Sequence, residues 1–255
     1  MQETKVISPD YIDKASAIDT IINNFETSGE PFGDKGRNSL KLFELDGLMI
    51  NVKSFRVPNI INQIAYRFLR MSKAQRSFEY ANKLIDLNIG TPQPIAYYEY
   101  KTTFFFNKSY YVSVQQDCDL TYRELTKDAH YPDHENILRA FTRFTYNLHE
   151  NNVNFLDHSP GNTLIKKVNG AYEFYLVDLN RMSFGSMSFE KRIKNFAKLS
   201  TSKHMIAVMS DEYAKCIGED SKKLEILMWK FTQAFQNRYH NRRILKKKLK
   251  FFNKK

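Results

Sequence analysis

Two kinds of apolar pattern follow one another along this chain. Up to about residue 115 short strand-like runs dominate, and from Leu120 onward the apolar spacing is mostly helical. A short helix is predicted near Ile12–Phe25, then a loop holding Gly29, Gly33 and Gly36. Leu40, Leu42 and Leu45 lead into Asp46-Gly47, a hairpin turn signal, and on to a strand at Leu48–Val57 that Pro58 closes. Asn59–Arg70 and Lys73–Leu87 predict helices, the second with Phe78, Ala81, Leu84 and Ile85 on one face and stopped by Gly90-Thr91-Pro92. Pro94–Lys101 and Tyr110–Gln116 predict two more strands, with Phe104–Phe106 as sheet or hairpin core.

In the second half Leu120–Asp128 and Asp133–Glu150 predict helices. Thr163–Val168 and Ala171–Val177 flank Asn169-Gly170, another hairpin signal, and everything beyond Phe189 is helical in pattern. The order predicts an α+β fold of two lobes: a small sheet-plus-helix lobe over residues 1–117 and a mainly helical lobe over 118–255. The hinge is expected near Gln116–Asp119.

Composition narrows the class. The 255 residues suffice for a sizeable core, and no run reaches the roughly 18 apolar residues of a membrane span. Met1–Lys14 is polar and lacks the order of a signal peptide, which predicts a cytoplasmic protein. Cys118 and Cys216 alone exclude a disulfide framework and a zinc site. Net charge is +11, of which the ten Lys and Arg residues of Ile226–Lys255 supply most, with no acid among them. Such a tail predicts an anionic partner, or else a solvated helix end. Its mixture of cations with apolar residues in "NRRILKKKLKFF" suits an anionic membrane surface. Nucleic acid is not expected, since no RNP-like or helix-turn-helix signature accompanies the charge.

The stretch "LDHSPGNTLI" puts Asp157 and Asn162 before the first strand of the central hairpin, and "LVDLNR" puts Asp178 after the second. A hairpin brings its outer ends together, so two carboxylates and an amide oxygen are expected at one edge. These are hard oxygen ligands suited to magnesium, which is usually shared between one or two protein carboxylates and substrate phosphates. Taken singly, Asp157 also suits an Asx-type turn before Pro160-Gly161, and Asp178 a strand-end cap.

The D-x-x-x-x-N spacing followed by a strand-borne Asp is the arrangement of protein-kinase-like phosphotransferases. "NFLDHSPGNTLI" with "YLVDLNRMSFG" resembles the lipopolysaccharide kinase family, whose members phosphorylate Kdo or heptose sugars of the inner core. It is similar, more distantly, to the aminoglycoside and choline phosphotransferases. The resemblance covers roughly Ser39–Phe189. It implies a two-lobed protein-kinase-like fold, ATP and Mg2+ as cofactors, and a sugar hydroxyl as acceptor. By that resemblance Asp157 is the catalytic residue that takes or orients the acceptor hydroxyl, and Asn162 and Asp178 hold magnesium. Lys53, late in "GLMINVKSF", binds the nucleotide phosphates and pairs with Glu79 on the following helix. By itself Glu79 also suits a surface pair with Arg76 or Lys83.

The chain departs from the pattern at several places. Phe155 stands where a His usually precedes the catalytic Asp by two residues, and Ser159 follows it where protein kinases have Lys. No G-x-G-x-x-G loop exists. "GDKGRNSL" lies in its place, with Lys35 and Arg37 as possible phosphate contacts. No A-P-E follows Phe184, so peptide docking is not expected. His149 is read as a protonated residue favouring a helix dipole, and His158 as pointing away or contacting backbone. Seven cations and one acid between Lys53 and Lys83 favour an anionic acceptor, for which an anionic glycolipid at the inner face of the inner membrane fits. Two other readings stand beside this one: a kinase of another small molecule or of protein, and a catalytically silent kinase-like binding module.

Overall fold

The computed structural model describes residues 1–33 and 38–252, with side chains to 246. Lys35, Arg37 and the cationic side chains from Lys247 onward lie outside the described residues. Two compact units make up the chain: Met1–Asp117 with Tyr175–Arg181, and Cys118–Phe174 with Met182–Lys255.

The first unit runs β1 (Gln2–Ile7), α1 (Ala15–Asn23), β2 (Glu30–Pro31), β3 (Ser39–Leu45), β4 (Leu48–Phe55), α2 (Ile60–Phe68), α3 (Lys73–Asp86), β5 (Pro94–Lys101) and β6 (Phe106–Val114). Its six strands form one antiparallel sheet in the order β1-β5-β6-β4-β3-β2. Asp46 and Gly47 turn the β3–β4 hairpin with φ of 50° and 80°, the left-handed pair that a two-residue loop matching strand twist requires. Strand alternation then sorts β4 between two cores. Ile50 and Val52 join Ile18 and Ile22 of α1, whereas Phe55 joins Ala74 and Phe78 of α3 with Tyr97 of β5. Lys53 shares the parity of Phe55 and so lies on the α3 face.

Two features of this unit depart from the sequence expectation. β1 was hidden in the polar N-terminus: it is an edge strand paired with β5 from Gln2↔Lys101 to Ile7↔Ala96, and its backbone ladder needs no apolar side chain. Of Phe104–Phe106 only Phe106 enters the core. Phe104 sits at the β5–β6 hairpin tip and is 65% exposed.

The second unit runs β7 (Leu120–Thr121), α4 (Tyr122–Lys127), α5 (His134–Glu150), β8 (Val153–Phe155), β9 (Thr163–Val168), β10 (Ala171–Leu176), β11 (Met182–Phe184), α6 (Phe189–Asn195), α7 (Lys203–Ile217) and the long α8 (Ser221–Phe252). The last two residues of β10 already belong to the first unit. Tyr122, Phe141, Phe196, Met209, Tyr213 and Leu224 lie at the centre of its core. Asn169 and Gly170, at φ of 50° and 81°, turn the β9–β10 hairpin. β8 pairs antiparallel with β11, Met182 opposite Phe155, so the short strand before Asp157 is held by a segment nearly 30 residues later. No helix among the described residues is long and apolar enough to cross a membrane.

Candidate active site

The residues singled out from the sequence fall into two groups, one in each unit. In the first unit, Lys53 Nζ donates to Asp178 Oδ1 at 2.9 Å, and both side chains are partly buried. Tyr175–Arg181 is held in this unit by the backbone of Gly90 and by Thr91 Oγ1, each within 2.9 Å of Leu176. Asp178 has φ of 60°, a left-handed conformation that costs a non-glycine residue about 1 kcal/mol or more. Asn180 Nδ2 also donates to Asp178 Oδ1, at 2.5 Å. An unfavourable backbone held so that a carboxylate meets a lysine is a common mark of a functional position.

The expected Lys53–Glu79 pair is not formed. Glu79 is exposed and accepts from Gln75 Nε2 at 2.8 Å, one helical turn back. The buried stripe of α3 is Ala74, Ser77, Phe78, Ala81 and Leu84, and Glu79 lies on the opposite, exposed face with Lys83 and Asp86. Lys53 has a carboxylate nearer to hand in Asp178.

In the second unit Asp157 follows β8. Its Oδ1 accepts from Lys198 Nζ at 3.2 Å, and the same ammonium donates to the Leu156 carbonyl at 2.5 Å. Asn162 Nδ2 donates to the Asp157 carbonyl at 2.8 Å, closing the loop. This leaves the Asn162 amide oxygen as the end available to a cation. Among the described residues no three His, Cys, Asp or Glu side chains gather into a metal cluster. Asp178 in the first unit and Asn162 in the second each offer a hard oxygen donor of the type that magnesium takes.

Asn195, at the end of α6, supports the Asp157 loop and was not anticipated from the sequence. Its Nδ2 donates to Asn154 Oδ1 at 3.1 Å and to the Phe155 carbonyl at 2.9 Å. Its Oδ1 lies 3.0 Å from His158 Nδ1 and 3.3 Å from His149 Nε2. An asparagine among lysines carries no sequence signal of such a role. The reading of His149 is corrected here, and for His158 the backbone alternative. His158 contacts the Asn195 side chain and not backbone. His149 is fully buried, with Nδ1 2.8 Å from the Tyr213 hydroxyl, and burial pushes its pKa down to about 3. It is therefore neutral and gives the helix dipole no charge. Burial likewise pushes His158 down to about 4. Phe155 is buried beside His158, ring centroids 5.8 Å apart.

Replacing Asn195 by Ala should lower stability by about 2–3 kcal/mol, because it strips partners from buried groups. The urea midpoint reads this, and an unchanged midpoint would mean that the network is not maintained.

Leu156 and His158, on either side of Asp157, help line a cavity of about 260 Å³. Lys191, Lys194, Lys198 and Arg238 also line it, with no acid among the lining residues. The cavity's charge suits an anionic group.

The first unit's sheet with α3, the second unit's helices and the central hairpin define a protein-kinase-like α+β fold. No family model matches the sequence, and no curated protein does. Among solved structures, that of WaaP in complex with acyl carrier protein is similar, with a TM-score of 0.62 over 92% of this chain and 99% of that one, at 16% identity.

Proposed function

We propose that this protein is an ATP-dependent phosphotransferase whose acceptor is a sugar hydroxyl on an anionic glycolipid, a Kdo or heptose of the lipopolysaccharide inner core. The Lys53–Asp178 contact on a kinase-like sheet carries the reading. The likeness in fold to WaaP, a lipopolysaccharide core heptose kinase, supports it. In this reading Lys53 binds nucleotide phosphates, and Asp178 and Asn162 hold magnesium, which would neutralise charge on the transferred phosphoryl group. With nucleotide bound, Lys53 would turn to the phosphates and the Asp178 carboxylate would be released to hold the metal. Asp157 takes or orients the acceptor hydroxyl. Lys198 fixes the Asp157 carboxylate, and the cationic cavity beside it receives an anionic group of the acceptor. Positioning and charge neutralisation supply most of the catalysis in such transfers, so few residues are needed.

The test is transfer of label from γ-labelled ATP, with magnesium, to inner-core lipopolysaccharide lacking its core phosphate, together with nucleotide binding by calorimetry. Wild type should label the glycolipid, and Asp178→Ala should lose magnesium-dependent ATP binding by at least about 100-fold, the loss of a charged metal ligand. Binding without labelling would redirect the search to another acceptor. Absence of both would leave a silent binding module.

A further inference from the structure

α2 buries none of its residues, although it reads "IINQIAYRF". Ile60, Ile64 and Phe68 follow at i, i+4 and i+8, with Ile61 and Leu69 beside them, forming one apolar stripe. Ile61 is 74% exposed, Leu69 81% and Phe68 59%. Tyr66 on the opposite side and Arg67 at the stripe's flank fix the helix to the sheet. Tyr66 packs on Phe106 with ring centroids 5.7 Å apart, and Arg67 Nε donates to the carbonyls of Thr102 and Thr103 at 3.1 and 3.4 Å. Those bonds bring the β5–β6 hairpin tip, with exposed Phe104, beside α2. Isolated exposed apolar residues are ordinary, but a helical stripe joined by an aromatic hairpin tip is a patch of the kind that marks an interaction surface.

Charge selects the occupant. Arg56 and Arg70, both exposed, flank this segment, and Glu79 is the only acid between Asp46 and Asp86. A second copy would set these cations against their own kind. We propose that α2 and the hairpin tip form a docking surface for an anionic lipid bilayer. The helix lies in the plane of the headgroups, its apolar stripe enters the acyl boundary and its cations meet lipid phosphates. This surface belongs to the first unit, whereas the basic α8 belongs to the second. It does not depend on the kinase reading.

Full-length protein should co-sediment with vesicles of phosphatidylcholine and phosphatidylglycerol, bind pure phosphatidylcholine far less, and lose binding as salt rises. Ile61→Glu with Phe68→Glu should weaken the partition by at least about tenfold, both sites being exposed and tolerant of charge in the folded chain. In a Trp229→Phe background, Phe68→Trp should be quenched by brominated lipid in the anionic vesicles. Absence of quenching, with vesicle binding untouched by the double substitution, would assign the membrane contact to α8 and overturn the proposal. A wild-type dimer that the double substitution converts to monomer would assign the patch to a second copy and overturn it as well.

Discussion

On the proposed kinase reading, Asp157→Asn should lower the rate of phosphoryl transfer by about 10³-fold, the usual contribution of a positioned proton acceptor. Asparagine keeps the size of the side chain but cannot take the proton of the attacking hydroxyl. The amide oxygen can still accept from Lys198, which loses only a charged partner and keeps its bond to the Leu156 carbonyl, so the loop should retain its path. ATP affinity should stay within about twofold, because the lost interaction belongs to the transition state. Steady-state transfer of label, with nucleotide binding measured alongside, separates the two effects. Transfer at the wild-type rate would remove Asp157 from the chemistry. A parallel loss of ATP binding would mean that the loop, and not the carboxylate alone, had been disturbed.

Stability should fall as pH drops from about 6.5 towards 5, by up to roughly 1.4 kcal/mol per pH unit for each of two histidines. His149 and His158 are buried, and desolvation holds their pKa values down to about 3 and 4. In the unfolded chain both return to about 6.5. Below that value the unfolded chain binds protons that the native chain refuses, so acid favours unfolding. Above it their contribution is fully present. Tyr213 and Asn195 hydrogen-bond the rings, and nearby Arg192 and Lys198 disfavour a second positive charge. Asp211 and Glu212, held low by Arg139 with Lys215 or Arg143, act in a more acid window, below the ordinary carboxylate range. Urea midpoints between pH 7.5 and 5 give the slope. NMR titration of the two imidazoles checks its cause, and folded-state midpoints near 6.5 for both would refute it.

Much of the architecture was legible before any coordinates. Asp46-Gly47 and Asn169-Gly170 announce two hairpins because few residues tolerate two successive left-handed positions. The stripe through Phe78, Ala81 and Leu84 announces α3 because helical spacing and burial coincide there. Asp157, Asn162 and Asp178 stand out because their spacing around a hairpin is unusual for a chance run of polar residues. Other features are silent in the sequence. The polar β1 is a strand only because β5 offers it a ladder, and β8 is a strand only because β11 returns to it. Glu79 stands where the family pattern wants it, yet the turn of α3 points it at Gln75.

By itself, then, the sequence determined what short-range physics decides: turns, helical and strand periods, the change from sheet-rich to helix-rich halves, and the residue types able to hold magnesium and phosphate. Tertiary structure decided which carboxylate meets Lys53, that Asn195 braces the Asp157 loop, that His149 and His158 are neutral, and that the apolar face of α2 remains in solvent. Each of these depends on burial or on partners distant in the chain, and neither can be read from a residue's immediate neighbours.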